Sequence, residues 1–211
     1  IPPGAVIIAL DSLEAESIGI KKDRYPNLSL LYGQAPFDRD REDLQYCDPS
    51  VLPFIAQRML TILSRLDPGS YTYYQRRLSE FQTRLDSTVL VGRQLLKGYP
   101  VFDLSGGVSS LLSAAGCVLL PGDEKRTVSW ERGEDPEGLQ GAVEDAVKRK
   151  IPVIMDGSTP KLIRTALKAN KNVLILGWPG EDQDLLIFFH DQFLILWNRL
   201  APLREERQAG K

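Results

Sequence analysis

The fold is decided by the stretch Tyr71–Asp103, YTYYQRRLSEFQTRLDSTVLVGRQLLKGYPVFD. Up to Leu96 its apolar residues recur at spacings of three, four or seven, with charges on the opposite side, which predicts one amphipathic helix. At about 1.5 Å per residue this helix is roughly 40 Å long, more than the width of a small domain, and such a helix often braces two lobes. Gly98 ends it, and the apolar run Tyr99–Leu104 predicts a strand.

Upstream of this helix, the first 50 residues predict little regular structure. Ala5–Leu10 (AVIIAL) is the one candidate for a buried strand, and the mixed-sign run Asp38–Asp43 is typical of a solvated loop. From Val51 onward, apolar residues at spacings of three and four predict a helix that runs to Leu66. The segment Asp67–Ser70 (DPGS) separates it from the long helix.

Downstream of the long helix, short apolar segments alternate with helical ones up to about residue 200. The predicted strands are Tyr99–Leu104, Cys117–Leu120, Ile151–Met155 and Asn172–Leu176. The predicted helices are Val108–Ala115, one that Asp135 caps and that runs to Lys150, one from Thr159 to Ala169, and one opened by Glu181 or Asp182. This alternation indicates a parallel sheet covered by helices on both faces, with right-handed crossovers.

The composition excludes several classes of function. The chain has 211 residues but a single His and two Cys, so neither a site with two or more histidines nor a four-cysteine zinc or iron–sulfur site exists within one chain. The net charge of −2 gives no electrostatic case for nucleic acid or an anionic membrane surface. Cys47 and Cys117 leave one disulfide and two free thiols open as alternatives.

Targeting signals are also absent from the sequence as it stands. No run reaches the roughly 20 apolar residues of a membrane-spanning helix. The chain begins at Ile1 with no hydrophobic leader, so we expect either that a leader has been removed or that the sequence is part of a longer protein.

Candidate ligand-binding residues follow the strands, because ligands of parallel sheets bind outside the carboxyl ends of the strands. The segments that follow the predicted strands are Asp103–Gly107, Pro121–Asp123, Asp156–Ser158 and Gly177–Asp182. The sequence therefore predicts that Asp103, Asp123, Asp156 and Asp182 lie along one edge of the sheet.

Several interpretations of this edge compete. The turn Ser105–Gly107 could cradle a phosphate through its N–H groups, although it matches neither the dinucleotide-binding nor the P-loop pattern. Asp103 and Asp156 could form an acid–base pair, or could cap the helices that follow them. Trp178 could stack on a ligand or cover the sheet edge. His190 lies mid-helix and the chain has no nucleophile elbow, which argues against a catalytic triad and for a helix-surface position.

A series of segments in fixed order resembles the solute-binding proteins of zinc and manganese ABC importers. The segments are DPSVL at 48–52, LDP at 66–68, YY at 73–74, VFD at 101–103, VIMD at 153–156, STPKL at 158–162 and VLIL at 173–176. The resemblance covers about residues 47 to 200. It implies two α/β lobes braced by one long helix with the metal between them, a periplasmic or lipoprotein location outside the cytoplasm, and a membrane permease as partner.

The family's metal ligands do not carry over. The family has His after the Asp-Pro pair, where this chain has Ser50, and His after the first strand of the C-terminal lobe, where this chain has Asp103. It has Asp or Glu after the last strand, where this chain has Gly177, and its His-rich loop is replaced by Arg39–Tyr46. Asp103 alone is a weak metal candidate, since zinc needs about four ligands. We therefore expect no bound zinc or manganese and no other cofactor.

Together these observations predict an α/β fold: a parallel sheet covered by helices in the C-terminal lobe, a long brace helix, and a reduced N-terminal α/β lobe, since only about 47 residues precede the Asp-Pro pair. The expected domains are 1–70, the linking helix 71–98, and 99–211. The expected function is that of a solute-binding-protein-like component of an importer, without catalysis. A scaffold for a protein partner and, less favoured, a carboxylate-based enzyme are the alternatives. The expected ligand-binding cleft is formed by Ser50, Asp103, Ser105, Asp156, Gly177 and Trp178.

Overall fold

The computed structural model describes residues 1–2, 4–32, 48–180 and 182–209. The chain divides into two compact units. The first holds the described residues of Ile1–Tyr46 and Ser50–Thr83, and the second holds those of Cys47–Pro49 and Arg84–Lys211. The predicted loop Asp38–Asp43, the segment Arg39–Tyr46 and Cys47, with any disulfide it would form, lie outside the described residues.

The first unit contains a two-stranded parallel sheet. Strand β1 (Ile7–Ala9) confirms the strand predicted within AVIIAL, and it pairs with β2 (Leu28–Leu30), which the sequence analysis missed. Helix α1 (Ser12–Ser17) connects them, and the side chain of Asp11 caps it by accepting the N–H of Glu14 at 2.7 Å. Helix α2 (Leu52–Leu66) and a 3₁₀ turn (Pro68–Ser70) follow.

The predicted long helix is confirmed as α3 (Tyr71–Leu96), an uninterrupted α-helix. Residues up to Thr83 belong to the first unit and residues from Arg84 to the second. Within the second unit α3 packs on the last helix, α8 (Leu185–Ala209). A Cβ atom at Gly92 would lie 2.6 Å from Cε2 of Phe193, so this contact requires glycine.

The second unit is built on a four-stranded sheet in which all strands are parallel, as predicted. Its strands are β3 (Pro100–Asp103), β4 (Val118–Leu120), β5 (Val153–Met155) and β6 (Val173–Ile175), in the order β4-β3-β5-β6. The remaining helices are α4 (Ser109–Ala114), α5 (Glu124–Glu131), α6 (Pro136–Lys148) and α7 (Lys161–Leu167).

Both faces of the two central strands, β3 and β5, are covered. On one face a core cluster joins Val153 and Met155 of β5 to apolar residues of α5, α6 and α7, including Trp130, Val143 and Ile163. Neighbouring residues of a strand point to opposite faces. Val101 and Ile154, which point to the other face, are also completely buried.

One prediction about the helices in this unit was wrong, and one helix was missed. The last helix begins at Leu185, not at Glu181 or Asp182; Asp184 accepts the N–H groups of Leu186 and Ile187 and so caps it, whereas Glu181 lies outside the described residues. Helix α5 was missed, although Asp123 before it is a standard N-cap residue.

Candidate functional site

The carboxyl ends of β3 and β5 meet at the place where a doubly wound sheet binds its ligands. The chain passes from β3 to β4 on one side and reaches β5 on the other side, so this point is the topological switch of the sheet. Asp103 is the last residue of β3, and Asp156 directly follows β5. The structure therefore brings these two predicted residues to one edge.

Asp156 is completely buried, and its carboxyl group accepts hydrogen bonds from two loops. Its Oδ2 accepts the N–H groups of Gly107 at 2.7 Å and Val108 at 3.1 Å, and its Oδ1 lies 3.4 Å from the N–H of Gly106. These are the N–H groups of the turn that the sequence suggested as a phosphate cradle. In the folded chain that cradle holds the protein's own carboxylate.

The other side of the Asp156 carboxylate binds its own loop. Oδ1 accepts the N–H of Ser158 at 2.9 Å, the hydroxyl of Ser158 at 2.6 Å and the N–H of Thr159 at 3.1 Å. The hydroxyl of Thr159 accepts the N–H of Asp156 at 2.9 Å and donates to the carbonyl oxygen of Leu104 at 2.9 Å. Asp156 and Thr159 thus fasten the loop after β5 to the loop after β3.

Asp103 is engaged in a separate, local network. Its Oδ1 accepts the N–H of Ser105 at 2.9 Å and the hydroxyl of Ser105 at 2.5 Å, and the Ser105 hydroxyl lies 3.3 Å from that of Ser109. Burial raises the pKa of Asp103; the hydrogen bonds from Ser105 and Ser109 oppose this, and the charge of Asp156 adds to it. The two aspartates therefore bind loop groups, and the interpretation that they cap the helices that follow them was wrong, since α4 and α7 begin without a side-chain cap.

The raised pKa of Asp103 has a testable consequence for stability. Since its folded-state pKa lies above the unfolded value, its contribution to stability is complete below the unfolded pKa and is lost as the pH rises through the folded pKa. An asparagine at this position would keep an acceptor for Ser105 without ionising. We expect Asp103→Asn to gain stability over the parent chain between about pH 4 and pH 7, by roughly 1.4 kcal/mol per unit of raised pKa.

Urea titrations at several pH values measure this difference. The control is Asp145→Asn, in which the replaced carboxylate is 73% exposed. A stability difference between Asp103→Asn and the parent chain that does not change with pH would contradict a raised pKa at Asp103.

Trp178 covers the same edge. A Cβ atom at Gly107 would overlap Cζ2 of Trp178, and one at Gly157 would lie 2.8 Å from its Nε1, so the indole rests directly on both glycines. Gly177 beside it is exposed, and its N–H donates to Oε1 of Gln192 at 3.1 Å. The edge thus gathers Asp103, Ser105, Asp156, Gly177 and Trp178. Ser50 is an exposed turn residue of the first unit.

Three residues of this edge were not among the predicted site residues. Ser158 and Thr159 donate hydrogen bonds to Asp156. The sequence D-G-S-T is typical of a turn capped by its first side chain. Gln192 is 6% exposed and directly precedes the apolar run Phe193–Trp197 of α8. A buried amide on such a helix indicates a backbone partner.

Potential metal ligands are dispersed over the described part of the chain. Across residues 1–2, 4–32, 48–180 and 182–209, no three His, Cys, Asp or Glu side chains come together as a metal ion requires. Burial, with a contribution from the charge of Asp103, raises the pKa of Cys117 to about 12, so this thiol stays protonated and is a poor ligand at neutral pH. His190 is exposed on α8, as predicted, with Nδ1 3.9 Å from Asp191.

Comparison with known proteins identifies the fold. The sequence matches no protein-family model and no curated protein. Among solved structures, the laminin-binding protein Lmb of Streptococcus agalactiae, described as having adhesin and metal transporting activity, is 15% identical with a TM-score of 0.62, covering 92% of this chain and 80% of that one.

Two further structures give the same result. The solute-binding protein FpvC of Pseudomonas aeruginosa, in complex with Mn²⁺, is 14% identical with a TM-score of 0.62, over 93% of this chain and 80% of that one. A Zn(II)-bound variant of AdcAII from Streptococcus pneumoniae is 14% identical with a TM-score of 0.59, over 89% of this chain and 76% of that one.

In the described part of this chain, no helix is both long and apolar enough to cross a membrane. The chain has the fold of the metal-binding solute-binding proteins, which confirms the resemblance seen in the sequence.

Proposed function

We propose that this chain is an extracytoplasmic solute-binding-protein-like component of a metal-type ABC import system, and that it does not use the usual transition-metal site. The shared fold with Lmb, described as having metal transporting activity, and with FpvC, solved with Mn²⁺, supports the first part. The proposed partner is a membrane permease, the proposed location is the periplasm or the outer side of the membrane as a lipoprotein, and any cargo is a small solute.

The observation that carries the second part is the engagement of both aspartates at the sheet edge. Asp156 is buried beneath donors from two loops, and Asp103 is bound by Ser105. The hydrogen bonds that these carboxyl groups accept within the chain give both aspartates a structural role that needs no bound cation. Of Ser50, Asp103 and Gly177, only Asp103 has a carboxylate to offer a metal, and burial raises the pKa of that carboxyl group.

The hydrogen bonding of both aspartates within the chain also favours a second candidate function. This is a protein-interaction scaffold that retains the fold and carries no solute. An edge filled by the chain's own side chains has little need of a solute to complete its hydrogen bonds. The hydrogen bonds that both aspartates accept from the chain's own loops also disfavour the enzyme alternative, since general acid–base catalysis needs carboxyl oxygens that reach a bound substrate.

Thermal unfolding with Zn²⁺, Mn²⁺ or a chelator tests the metal part of the proposal. A ligand present at about 100 times its Kd stabilises the folded state by about 2.7 kcal/mol. We expect the unfolding midpoint of the chain to be the same under all three conditions. A zinc-dependent rise that Asp103→Ala abolishes, and that the control Asp145→Ala leaves intact, would show a metal site built on Asp103 and would overturn the proposal.

A further inference from the structure

Positive charge is concentrated in one part of an otherwise slightly acidic chain. Between Ala146 and Gly180 there are seven Lys or Arg residues and a single acid, Asp156, whereas the whole chain has a net charge of −2. Asp156 is completely buried and bound by backbone N–H groups, so it offers no charge at the surface. The seven cations are Lys148, Arg149, Lys150, Lys161, Arg164, Lys168 and Lys171.

Three of these cations line an apolar groove beside the edge strand β6. The register pairs Val153 with Val173 and Met155 with Ile175, so these four side chains point to the face that α7 covers. Helix α7 covers β5 fully, since Met155 is 1% exposed, but it leaves Ile175 65% exposed.

The groove between α7 and β6 has a volume of about 410 Å³. Met155, Val173 and Ile175 form its apolar floor, and Lys161, Arg164 and Lys168 of α7 and its C-terminal end line its wall. The groove therefore presents an aliphatic floor beside a positively charged wall.

This part of the sheet lacks the cover that α/β folds normally provide. In a doubly wound sheet the helix that follows a strand packs on one of its two faces. The helix that follows β6 is α8, whose Phe193 ring rests on Gly92 of α3. Within the described residues, the α7 side of β6 therefore ends in the open groove and the exposed Ile175.

We propose that this groove docks an acidic amphipathic helix of a partner protein. Apolar residues on one face of such a helix would cover Val173 and Ile175, as a further helix of the sheet would. Lys161, Arg164 and Lys168 stand at helical spacings of three and four. Carboxylates at the same spacing along the flank of the partner helix would face them in register.

The charge and shape of the groove favour this partner over two other occupants, a second copy of the chain and an anionic bilayer. A second copy of the chain, placed symmetrically, would bring its own three cations against these three. A flat anionic bilayer would meet the exposed ends of the cations, but it would not reach the floor of a concave groove. A helix supplies both the apolar and the acidic surface in one element.

The probe is a fluorescent, helical synthetic peptide of about 16 residues, since shorter helices are marginal in water, with leucines on one face and glutamates along its flank. Binding to the full chain is measured by fluorescence anisotropy at several salt concentrations. We expect the affinity to fall with salt, because exposed charge pairs are screened. A matched peptide with lysine at each glutamate position should not bind.

Variants then locate the binding surface. The double variant Arg164→Glu/Lys168→Glu should weaken binding about tenfold or more, and Ile175→Ser should weaken it by a comparable factor. The control Lys21→Glu/Lys97→Glu makes the same change in net charge at two exposed positions outside the groove, and should bind within about twofold of the parent chain. All replaced side chains are exposed, so the variants should keep the circular dichroism spectrum of the parent.

Three results would overturn the proposal. These are no binding of the acidic peptide to the parent chain, an equal loss of binding in the groove variant and the control, and undiminished binding in Ile175→Ser. Phosphatidylglycerol vesicles serve as a parallel probe. If the chain binds these vesicles through Arg164 and Lys168 while the peptide fails to bind, the surface is a membrane contact and the helix proposal is wrong.

Discussion

Replacing Asp156 with alanine is expected to lower the free energy of unfolding of the second unit by about 3–5 kcal/mol. The substitution removes the acceptor for N–H groups of Gly107, Val108 and Thr159, all of which belong to buried residues. A buried donor left without a partner costs about 1–3 kcal/mol. Domains of this size are stable by only about 5–15 kcal/mol, so the loss is a large share of the total.

Urea unfolding followed by tryptophan fluorescence measures this effect in the relevant unit, because all three tryptophans of the chain (Trp130, Trp178 and Trp197) belong to the second unit. The matched control is Asp123→Ala. Asp123 also binds two backbone N–H groups, those of Lys125 and Arg126, but it does so at the exposed start of α5. Loss of an N-cap of this kind costs about 1 kcal/mol.

Asp156→Asn separates the role of charge from the role of shape. Both carboxylate oxygens of Asp156 accept N–H groups, so an amide must point its own N–H₂ at one set of donors. We expect a loss close to that of alanine despite the matching volume. If Asp156→Ala costs no more than Asp123→Ala, the carboxylate is not a structural anion. A role as solute ligand would then fit better, since removing a ligand from a preformed site changes binding more than stability.

The sequence predicts the second unit well because each of its elements has a local signal. Short apolar runs such as VIM at 153–155 and VLI at 173–175 are typical of strands in a parallel sheet, and the turns between them contain Gly, Pro and Asp. The long helix repeats one apolar face over its whole length, so no tertiary contact is needed to recognise it. The edge on which Asp103 and Asp156 lie then follows from the parallel topology alone.

Apart from α5, whose N-cap residue Asp123 is a local signal, the parts that the sequence did not predict depend on contacts distant in sequence. Strand β2 is only LSL, and its pairing with β1 defines it more than its composition does. The acceptor role of Asp156 depends on Gly107 and Val108, which lie about 50 residues earlier. No local pattern distinguishes a carboxylate that binds a distant loop from one that binds a solute. The groove beside β6 likewise depends on how far α7 reaches across the sheet.

Gly107→Ala is the second substitution for which we expect a large effect, a loss of about 1–3 kcal/mol from overpacking. Its new Cβ would overlap Cζ2 of Trp178 and lie 3.1 Å from Oδ2 of Asp156, so the indole must move away. The matched control is Gly141→Ala, where the new Cβ meets no atom within 4 Å. Because Gly141 lies within α6, that control should gain up to about 1 kcal/mol from helix propensity.

A double-mutant cycle with Trp178→Ala shows whether the indole is the cause. Once the ring is gone, Gly107→Ala meets only the tighter contact with Asp156, so its cost should fall below about 1 kcal/mol and the two changes should couple strongly. Additive costs would instead mean that the loop around Gly107 is strained for another reason. The cycle also bears on function. If Trp178 packs on Gly107 and Gly157 as part of the fold, its ring already covers the sheet edge. A solute would have to displace it before stacking on its ring.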